Sequence, residues 1–218
     1  MKSDLLNDFT RDGYVVIDQL FDDEHCAALF QRVLAALDEP ERTGIHENLC
    51  RTHCPLKLDD ITRQATRMII DRIGLILDEV LPRERFLVEL SSITSFPGAA
   101  EQPVHPDETD PDRQIVSCFV NLMPATEEVG ALQVFPGTHC SDNNIDSPAE
   151  PLIMALAAGS VVVMNSKLHH AGGANRTIDR IRPVFYVSFG DSDIEGPAYS
   201  IRDEYWRQHT IDSIRQIA

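Results

Sequence analysis

The sequence predicts a mainly β protein with flanking helices, built as an antiparallel sandwich or a jelly roll. After Pro82, runs rich in Val, Ile and Phe alternate with polar residues and are separated by turn signals such as Pro97-Gly98. Few helical periodicities lie between those runs, whereas the first 82 residues carry three of them. Strands that follow one another without intervening helices favour antiparallel sheets, which predicts this architecture.

The chain is expected to form a single domain over residues 1–218, since all-β domains often reach this size and no repeat or linker interrupts it. Residues 1–82 are predicted to supply mainly helical support. Residues 83–190 are predicted to form the β core, and residues 191–218 a C-terminal extension.

The N-terminal elements are predicted from periodicity and turn signals. Helical periodicity covers residues 4–11 and 61–79, and a third helix can begin after Asp22 or Asp23, either of which can cap it, and run to about Leu37. A β-rich run follows Gly13. Residues 39–57 hold two prolines, a glycine and mixed charges, which predicts an irregular segment. The histidines in that segment, His46 and His53, are expected to be solvated.

Side-chain alternation selects one face of each predicted strand. On the strand predicted at 114–122, Ser117, Phe119 and Asn121 share a face, and on the strand at 86–96, Thr94 shares a face with Ser92. If these faces point inward, Ser117, Asn121 and Thr94 line the interior. The remaining strands are predicted at residues 131–135, 160–164 and 183–189.

Charge and composition exclude several functions. The chain carries 35 acidic against 19 basic side chains, a formal net charge of −16, so nucleic acid is not an expected partner. No apolar run is long enough to cross a membrane, and the acidic N-terminus does not resemble a secretory signal, so a cytoplasmic protein without membrane association is expected. Five cysteines in such a chain do not predict a disulfide framework. The oligomeric state stays open.

A candidate metal site is carried by His105, Asp107 and His170. In an extended segment, residues i and i+2 project to the same side, so His105 and Asp107 can reach one metal together. His170 follows a β-rich run that begins after Gly159 and can supply the third ligand. Two imidazoles and one carboxylate are the set that holds non-haem Fe(II) on one face and leaves the other face open. A zinc-dependent enzyme using the same three residues is an alternative.

Three segments resemble the phytanoyl-CoA dioxygenase (PhyH-like) family. They are the opening FTRDGYVVID at 9–18, the run EEVGALQVFPGTH at 127–139, and the stretch from Gly159 to Thr177, which contains HHAGGANRT. They occur in the family's order. The resemblance implies a double-stranded β-helix (jelly roll) that binds Fe(II) and uses 2-oxoglutarate and O2 as co-substrates. It also selects His170 over His169, because the family's histidine lies eleven residues after the glycine and five before an asparagine, here Asn175.

The resemblance assigns roles to further residues. His105, Asp107 and His170 would be the catalytic iron ligands, and an arginine would bind the distal carboxylate of 2-oxoglutarate. Arg182, at the start of RPVFYVSF, matches the family pattern, with Arg180 as the rival. Thr94, Ser117 and Asn121 are then candidate co-substrate contacts, which completes the predicted site.

The predicted activity is a dioxygenase that hydroxylates an unactivated C–H bond of a small metabolite. Related halogenases have glycine or alanine where this chain has Asp107, so the resemblance favours hydroxylation over chlorination. A non-catalytic jelly-roll module that binds a small molecule is the second alternative, beside the zinc enzyme.

Overall fold

Two antiparallel sheets form the body of the protein. The computed structural model describes residues 2–38, 44–46, 50–81, 85–140, 150–191 and 209–216. The larger sheet has seven strands in the order β1-β8-β5-β10-β4-β3-β2, and the smaller has three in the order β7-β6-β9. The mainly β, jelly-roll-like architecture predicted from the sequence is confirmed. Most of the C-terminal extension predicted at 191–218 lies outside the described residues.

The strands are short except for two long neighbours at the centre of the larger sheet. In chain order they are β1 (Tyr14–Ile17), β2 (Gly44–His46), β3 (Arg51–Pro55), β4 (Arg85–Ser95), β5 (Ile115–Asn121), β6 (Leu132–Val134), β7 (Leu152–Ile153), β8 (Val161–Asn165), β9 (His170–Gly172) and β10 (Arg182–Asp191). The described residues also form four α-helices: α1 (Lys2–Asp12), α2 (Asp23–Leu37), α3 (Asp60–Val80) and α4 (Ile211–Gln216).

The helices begin where the sequence offers capping side chains. The carboxylate of Asp22 accepts a hydrogen bond from the backbone N–H of His25 and starts α2. Asp59 and Thr62 form a reciprocal capping box at the start of α3. These groups satisfy backbone donors that have no partner inside the helix.

One face of the larger sheet packs against the helices and the other remains available for a site. Apolar side chains of α2 and α3, among them Leu29 and Ile69, form one buried cluster with Leu90, Val120 and Phe185 from the central strands. Because side chains alternate along a strand, the intervening residues face the smaller sheet. Within the described residues, no helix is both long and apolar enough to span a membrane.

The prediction of an irregular segment over 39–57 was wrong for residues 44–46 and 51–55, which form β2 and β3. Strand β3 pairs with β4 so that Arg51 lies opposite Ser95 and His53 opposite Ile93. The side chain of His46 lies outside the described part of the structure. His53 is buried, not solvated. The pairing with a long neighbouring strand, which no local signal reveals, decides this segment. The two short strands β7 and β9 were also not predicted, because two or three residues carry no readable period.

Candidate metal centre

The structure brings His105, Asp107 and His170 together. One ligand atom from each lies within 4.8 Å of the other two. His170 is the first residue of β9, and His105 forms an isolated antiparallel bridge with it. The neighbouring His169 is not among the clustered residues; its backbone N–H donates to Thr138 Oγ1 at 2.9 Å. The geometry therefore brings together the three residues that the sequence selected.

Both histidines are oriented by the nitrogen that does not face the cluster. His105 Nδ1 lies 2.8 Å from the carbonyl of Pro103, and His170 Nδ1 lies 2.9 Å from that of Leu168. A carbonyl only accepts, so each Nδ1 carries the proton and each neutral ring has its lone pair on Nε2. The two Nε2 atoms lie 3.8 and 3.5 Å from Asp107 Oδ1. This donor set fits a divalent metal ion, with both rings held by their backbone contacts.

The electrostatics of the cluster favour a charged carboxylate. Burial by itself would raise the pKa of Asp107, but the adjacent His170, followed by His105, holds that pKa below its usual value. Burial would likewise lower the pKa of His170, whereas the Asp107 carboxylate raises it. His170 and Asp107 thus stabilise each other's charged forms, and a divalent cation bound at the cluster would balance the carboxylate in place of an imidazolium.

A cavity of about 420 Å³ lies next to the cluster, between the two sheets. Ser117 and Asn121 line it, as predicted, together with Phe119. Thr94 does not line it. The register places Thr94 opposite Pro183, on the face directed away from the cavity, and Ser95 takes the inward position beside Arg182.

The wrong face was selected for this strand because β4 is buried on both sides. Nearly every residue of β4 is buried, and serines occupy both faces. The alternation of polar and apolar residues that marks a half-exposed strand is therefore missing here.

A pair of buried arginines forms one end of the cavity. Arg182 is 6% exposed and lines the cavity, whereas the rival Arg180 is exposed and donates to Glu128. Arg182 Nη2 donates to Ser95 Oγ at 3.3 Å, and Arg51 Nη1 donates to the same oxygen at 2.7 Å. Burial, and then the charge of Arg51, lower the pKa of Arg182 to about 10, so the guanidinium stays charged at neutral pH.

No carboxylate within the described residues lies within salt-bridge distance of either arginine. Arg51 Nη2 donates to the carbonyls of Ala100, Gly172 and Gly173, and the Nε atoms of both arginines are buried without a hydrogen-bond partner. A buried guanidinium without a carboxylate partner is suited to a carboxylate ligand, which it can bind through two parallel hydrogen bonds.

Sequence reasoning missed a buried network on the cavity wall formed by His53, Tyr186 and Glu89. Tyr186 donates its hydroxyl proton to Glu89 Oε1 and accepts from His53 Nε2 at 2.5 Å. The ring of Tyr186 also stacks on Phe119, with 5.4 Å between centroids. All four line the cavity. A polar residue at position 89 within a buried strand was the available signal, because charged side chains are rarely buried without a role.

The sequence profile of the phytanoyl-CoA dioxygenase (PhyH) family matches residues 9–184, which is most of the chain and includes the whole cluster. The chain belongs to the phytanoyl-CoA dioxygenase family. As such it is an Fe- and 2-oxoglutarate-dependent dioxygenase carrying the His-x-Asp and distal His triad of this family.

Several curated dioxygenases are similar in sequence to this chain. Dioxygenase FrzG of Cladobotryum sp. is 26% identical over 223 aligned positions, covering 83% of this chain and 72% of FrzG. Matches to dioxygenases of Aspergillus terreus, Aspergillus aculeatus and Emericella variicolor are 32–35% identical but span only 33–36% of those proteins.

Solved structures share the PhyH-like fold. The epimerase SnoN from nogalamycin biosynthesis, in complex with Fe3+, alpha ketoglutarate and nogalamycin RO, superposes with a TM-score of 0.70 at 20% identity, covering 88% of this chain and 84% of SnoN. HygX from Streptomyces hygroscopicus, with nickel, 2-oxoglutarate and hygromycin B bound, gives a TM-score of 0.69 at 12% identity, covering 97% of this chain and 98% of HygX. At such identities the similarity demonstrates a shared fold.

Proposed function

We propose that this dioxygenase hydroxylates an unactivated C–H bond of a small metabolite, with iron held by His105, Asp107 and His170. The observation that carries the proposal is the presence, in one cavity, of a metal-binding triad and of Arg182, a buried cation without a carboxylate partner among the described residues. Such an arginine would bind the distal carboxylate of 2-oxoglutarate, with the oxo-acid end directed to the metal.

The protein's own groups would position the reactants. Arg182 and Ser95 bind one end of the co-substrate, and the backbone carbonyls of Pro103 and Leu168 hold the two imidazoles in the orientation that binds metal. The iron, when bound, would supply the oxidative chemistry, in which one oxygen atom of O2 enters succinate as 2-oxoglutarate loses CO2 and the other atom enters the substrate as a hydroxyl group. Phe119 and the neighbouring apolar wall exclude water from the reacting atoms.

A small substrate is supported by the cavity and by the relatives. About 420 Å³ must hold both the co-substrate and part of the substrate. SnoN and HygX were solved with nogalamycin RO and hygromycin B, which are small molecules. The retained Asp107 keeps a protein ligand at the position where halogenases have a small residue, and this supports hydroxylation.

Arg182 also separates this proposal from its alternatives. A zinc hydrolase at the same triad has no use for a buried arginine that lacks a carboxylate partner. A binding module without turnover needs neither the metal ligands nor the arginine. The presence of all four residues supports the oxygenase.

The test begins with an anaerobic titration with Fe(II) and 2-oxoglutarate, in which binding is detected by the metal-to-ligand charge-transfer band in the visible spectrum. O2 is then admitted, and the succinate formed is assayed. The band and slow succinate formation are expected for the natural chain. Asp107→Ala is expected to abolish succinate formation, whereas Asp112→Ala, an exposed carboxylate in the same loop, is expected to retain it. Absence of the band in fully iron-loaded protein would overturn the proposal in favour of zinc or of a binding module.

A further inference from the structure

The residues on the cavity face of the larger sheet form four rows that run across the strands, because directly opposed residues of paired strands share a face. Row one is Arg51, Ser95 and Arg182; row two is His53, Ile93, Val184 and Asn121; row three is Ser91, Tyr186 and Phe119; row four is Glu89, Ser188 and Ser117. Rows follow each other at two-residue steps, so the arginines and Glu89 lie about 20 Å apart along the strands. The cavity is therefore basic at one end and acidic at the other.

The metal-binding cluster lies over rows three and four. The ring of Phe119 is 6.5 Å from that of His170. Ser117 Oγ lies 3.2 Å from Ser166 Oγ, and the backbone carbonyl of Ser166 accepts from the N–H of Asp107 at 2.8 Å. A co-substrate held between Arg182 and the metal occupies rows one to three. Row four is then left for the molecule that is oxidised, an assignment that rests on the proposed function.

Glu89 is a buried carboxylate without a full cationic partner. It is 9% exposed and lines the cavity. Its oxygens accept from Tyr186 and, at 3.5 Å, from Ser188 Oγ, and His53 Nε2 lies 3.5 Å away. Within the described residues, no lysine or arginine nitrogen lies within 4.0 Å of it. An ionised carboxylate offers about four acceptor positions, and burial without a cation is costly, so the site favours a ligand that brings positive charge.

Tyr186 remains neutral beside Glu89, so it adds no charge of its own to the carboxylate's surroundings. Burial, and then the adjacent Glu89, raise the pKa of the Tyr186 phenol, so the hydroxyl stays protonated and donates to the carboxylate. The formal net charge of −16 also attracts cations toward the molecule over long distances. Local and global charge thus favour the same class of ligand.

We propose that Glu89, with Tyr186 and Ser188, forms the subsite for the primary substrate, and that this substrate presents a protonated amine to the Glu89 carboxylate. Tyr186 and Ser188 hold the carboxylate on the cavity wall through their hydroxyl groups. The amine would fix the substrate beside row four, with the carbon to be oxidised held near the metal.

The experiment compares benzylamine with benzyl alcohol, two probes of nearly equal size, on protein loaded with Zn(II) and 2-oxoglutarate so that no turnover occurs. Binding is measured by saturation-transfer NMR and calorimetry in about 0.3 M NaCl, which screens attraction to the exposed surface. Benzylamine is expected to bind at least about tenfold more tightly than benzyl alcohol.

Two variants locate the preference for the amine. Glu89→Gln is expected to remove it, whereas Glu101→Gln, which removes an exposed carboxylate and the same unit of charge, is expected to keep it. Equal binding of the two probes to the natural chain, or a preference that survives in Glu89→Gln, would overturn the proposal.

A second measurement needs no variant and therefore holds even if Glu89→Gln fails to fold. With Mn(II) in place of Zn(II), the proton resonances of benzylamine are expected to broaden strongly, since the probe lies beside the metal centre. Tight binding without broadening places the amine elsewhere and overturns the subsite. Loss of the Fe(II) charge-transfer band, by contrast, would overturn the proposed function while leaving the amine preference as an independent result.

Discussion

His105 and His170 are hydrogen-bonded to each other through their backbones. The N–H of each donates to the carbonyl of the other, both at 3.0 Å, and their rings lie 4.6 Å apart between centroids. The two histidines are 65 positions apart in the sequence, yet this reciprocal bridge holds them as neighbours. The arrangement of the imidazoles thus belongs to the backbone of the fold, so it is present before any metal binds.

A preformed site should convert metal binding directly into thermal stability. Anaerobic Fe(II) at about one hundred times its Kd is expected to add about 2.7 kcal/mol, a rise in Tm of about 5 to 10 °C, in thermal unfolding followed by circular dichroism. His170→Ala is expected to lose this rise. His169→Ala, which alters the adjacent ring outside the cluster, is expected to retain it, and the opposite pattern would contradict the assignment of His170.

The two candidate arginines can be separated by kinetics. Arg182→Ala is expected to raise the KM for 2-oxoglutarate by about 10- to 100-fold, because a charge-assisted contact is lost. Arg180→Ala removes only an exposed ion pair with Glu128 and is expected to leave that KM within about twofold. Without 2-oxoglutarate, Arg182→Ala should cost little stability, since the natural guanidinium is then buried without a carboxylate. A large rise in KM for Arg180→Ala would instead identify Arg180 as the anchor.

Asp59 is expected to stabilise the protein through the start of α3. Its carboxylate accepts from the N–H of Thr62 at 3.1 Å and from Arg32 Nε at 2.6 Å. Asp59→Ala is expected to cost about 1 to 2 kcal/mol in urea unfolding at neutral pH. Asp60→Ala, in the first turn of the same helix, is the control and should cost less.

The contribution of Asp59 should depend on pH in a defined direction. Burial would raise the pKa of Asp59, but the hydrogen bond from Arg32 lowers it below the ordinary carboxyl value. A lowered pKa in the folded state means that the stabilisation is fully present above the unfolded pKa of about 3.9 and is lost as pH falls through the lower folded value. The difference in the free energy of unfolding between the natural chain and Asp59→Ala should therefore shrink in acid. A difference that grows in acid would contradict the lowered pKa of Asp59.

Gly159 and Gly137 test backbone strain with and without a steric clash. Both have positive φ, +79° and +78°, which costs an L-residue about 1 to 2 kcal/mol. A Cβ at Gly159 would lie 1.9 Å from the carbonyl oxygen of Phe21, whereas one at Gly137 would meet no atom within 4 Å. Gly159→Ala is expected to cost about 2 to 5 kcal/mol and Gly137→Ala only the smaller amount, in parallel urea titrations. Equal losses of stability in the two variants would mean that the backbone near Phe21 can move away from the added Cβ at little cost.

The metal triad could be predicted from one local spacing and one family motif. The step of two between His105 and Asp107 is the period of an extended chain, and the resemblance to the phytanoyl-CoA dioxygenase family selects His170 by its distance from Gly159. Ser117 and Asn121 were predicted from the alternation on their strand, and Arg182 from the family resemblance, and all three line the cavity. Thr94 was assigned to the wrong face because β4 is buried on both sides.

The sequence by itself determined the jelly-roll architecture, the chemistry of the metal-binding residues and the face of β5 that meets them. Those features depend on short-range periodicity and on short motifs that resemble one family, and each motif can be recognised without knowing which distant segments pair. Only the tertiary structure decided that Arg51 joins Arg182 and that His53, Tyr186 and Glu89 share one wall. Those side chains come from three strands paired across distant parts of the sequence, and register between distant strands is set by packing of the whole sheet, which no local pattern encodes.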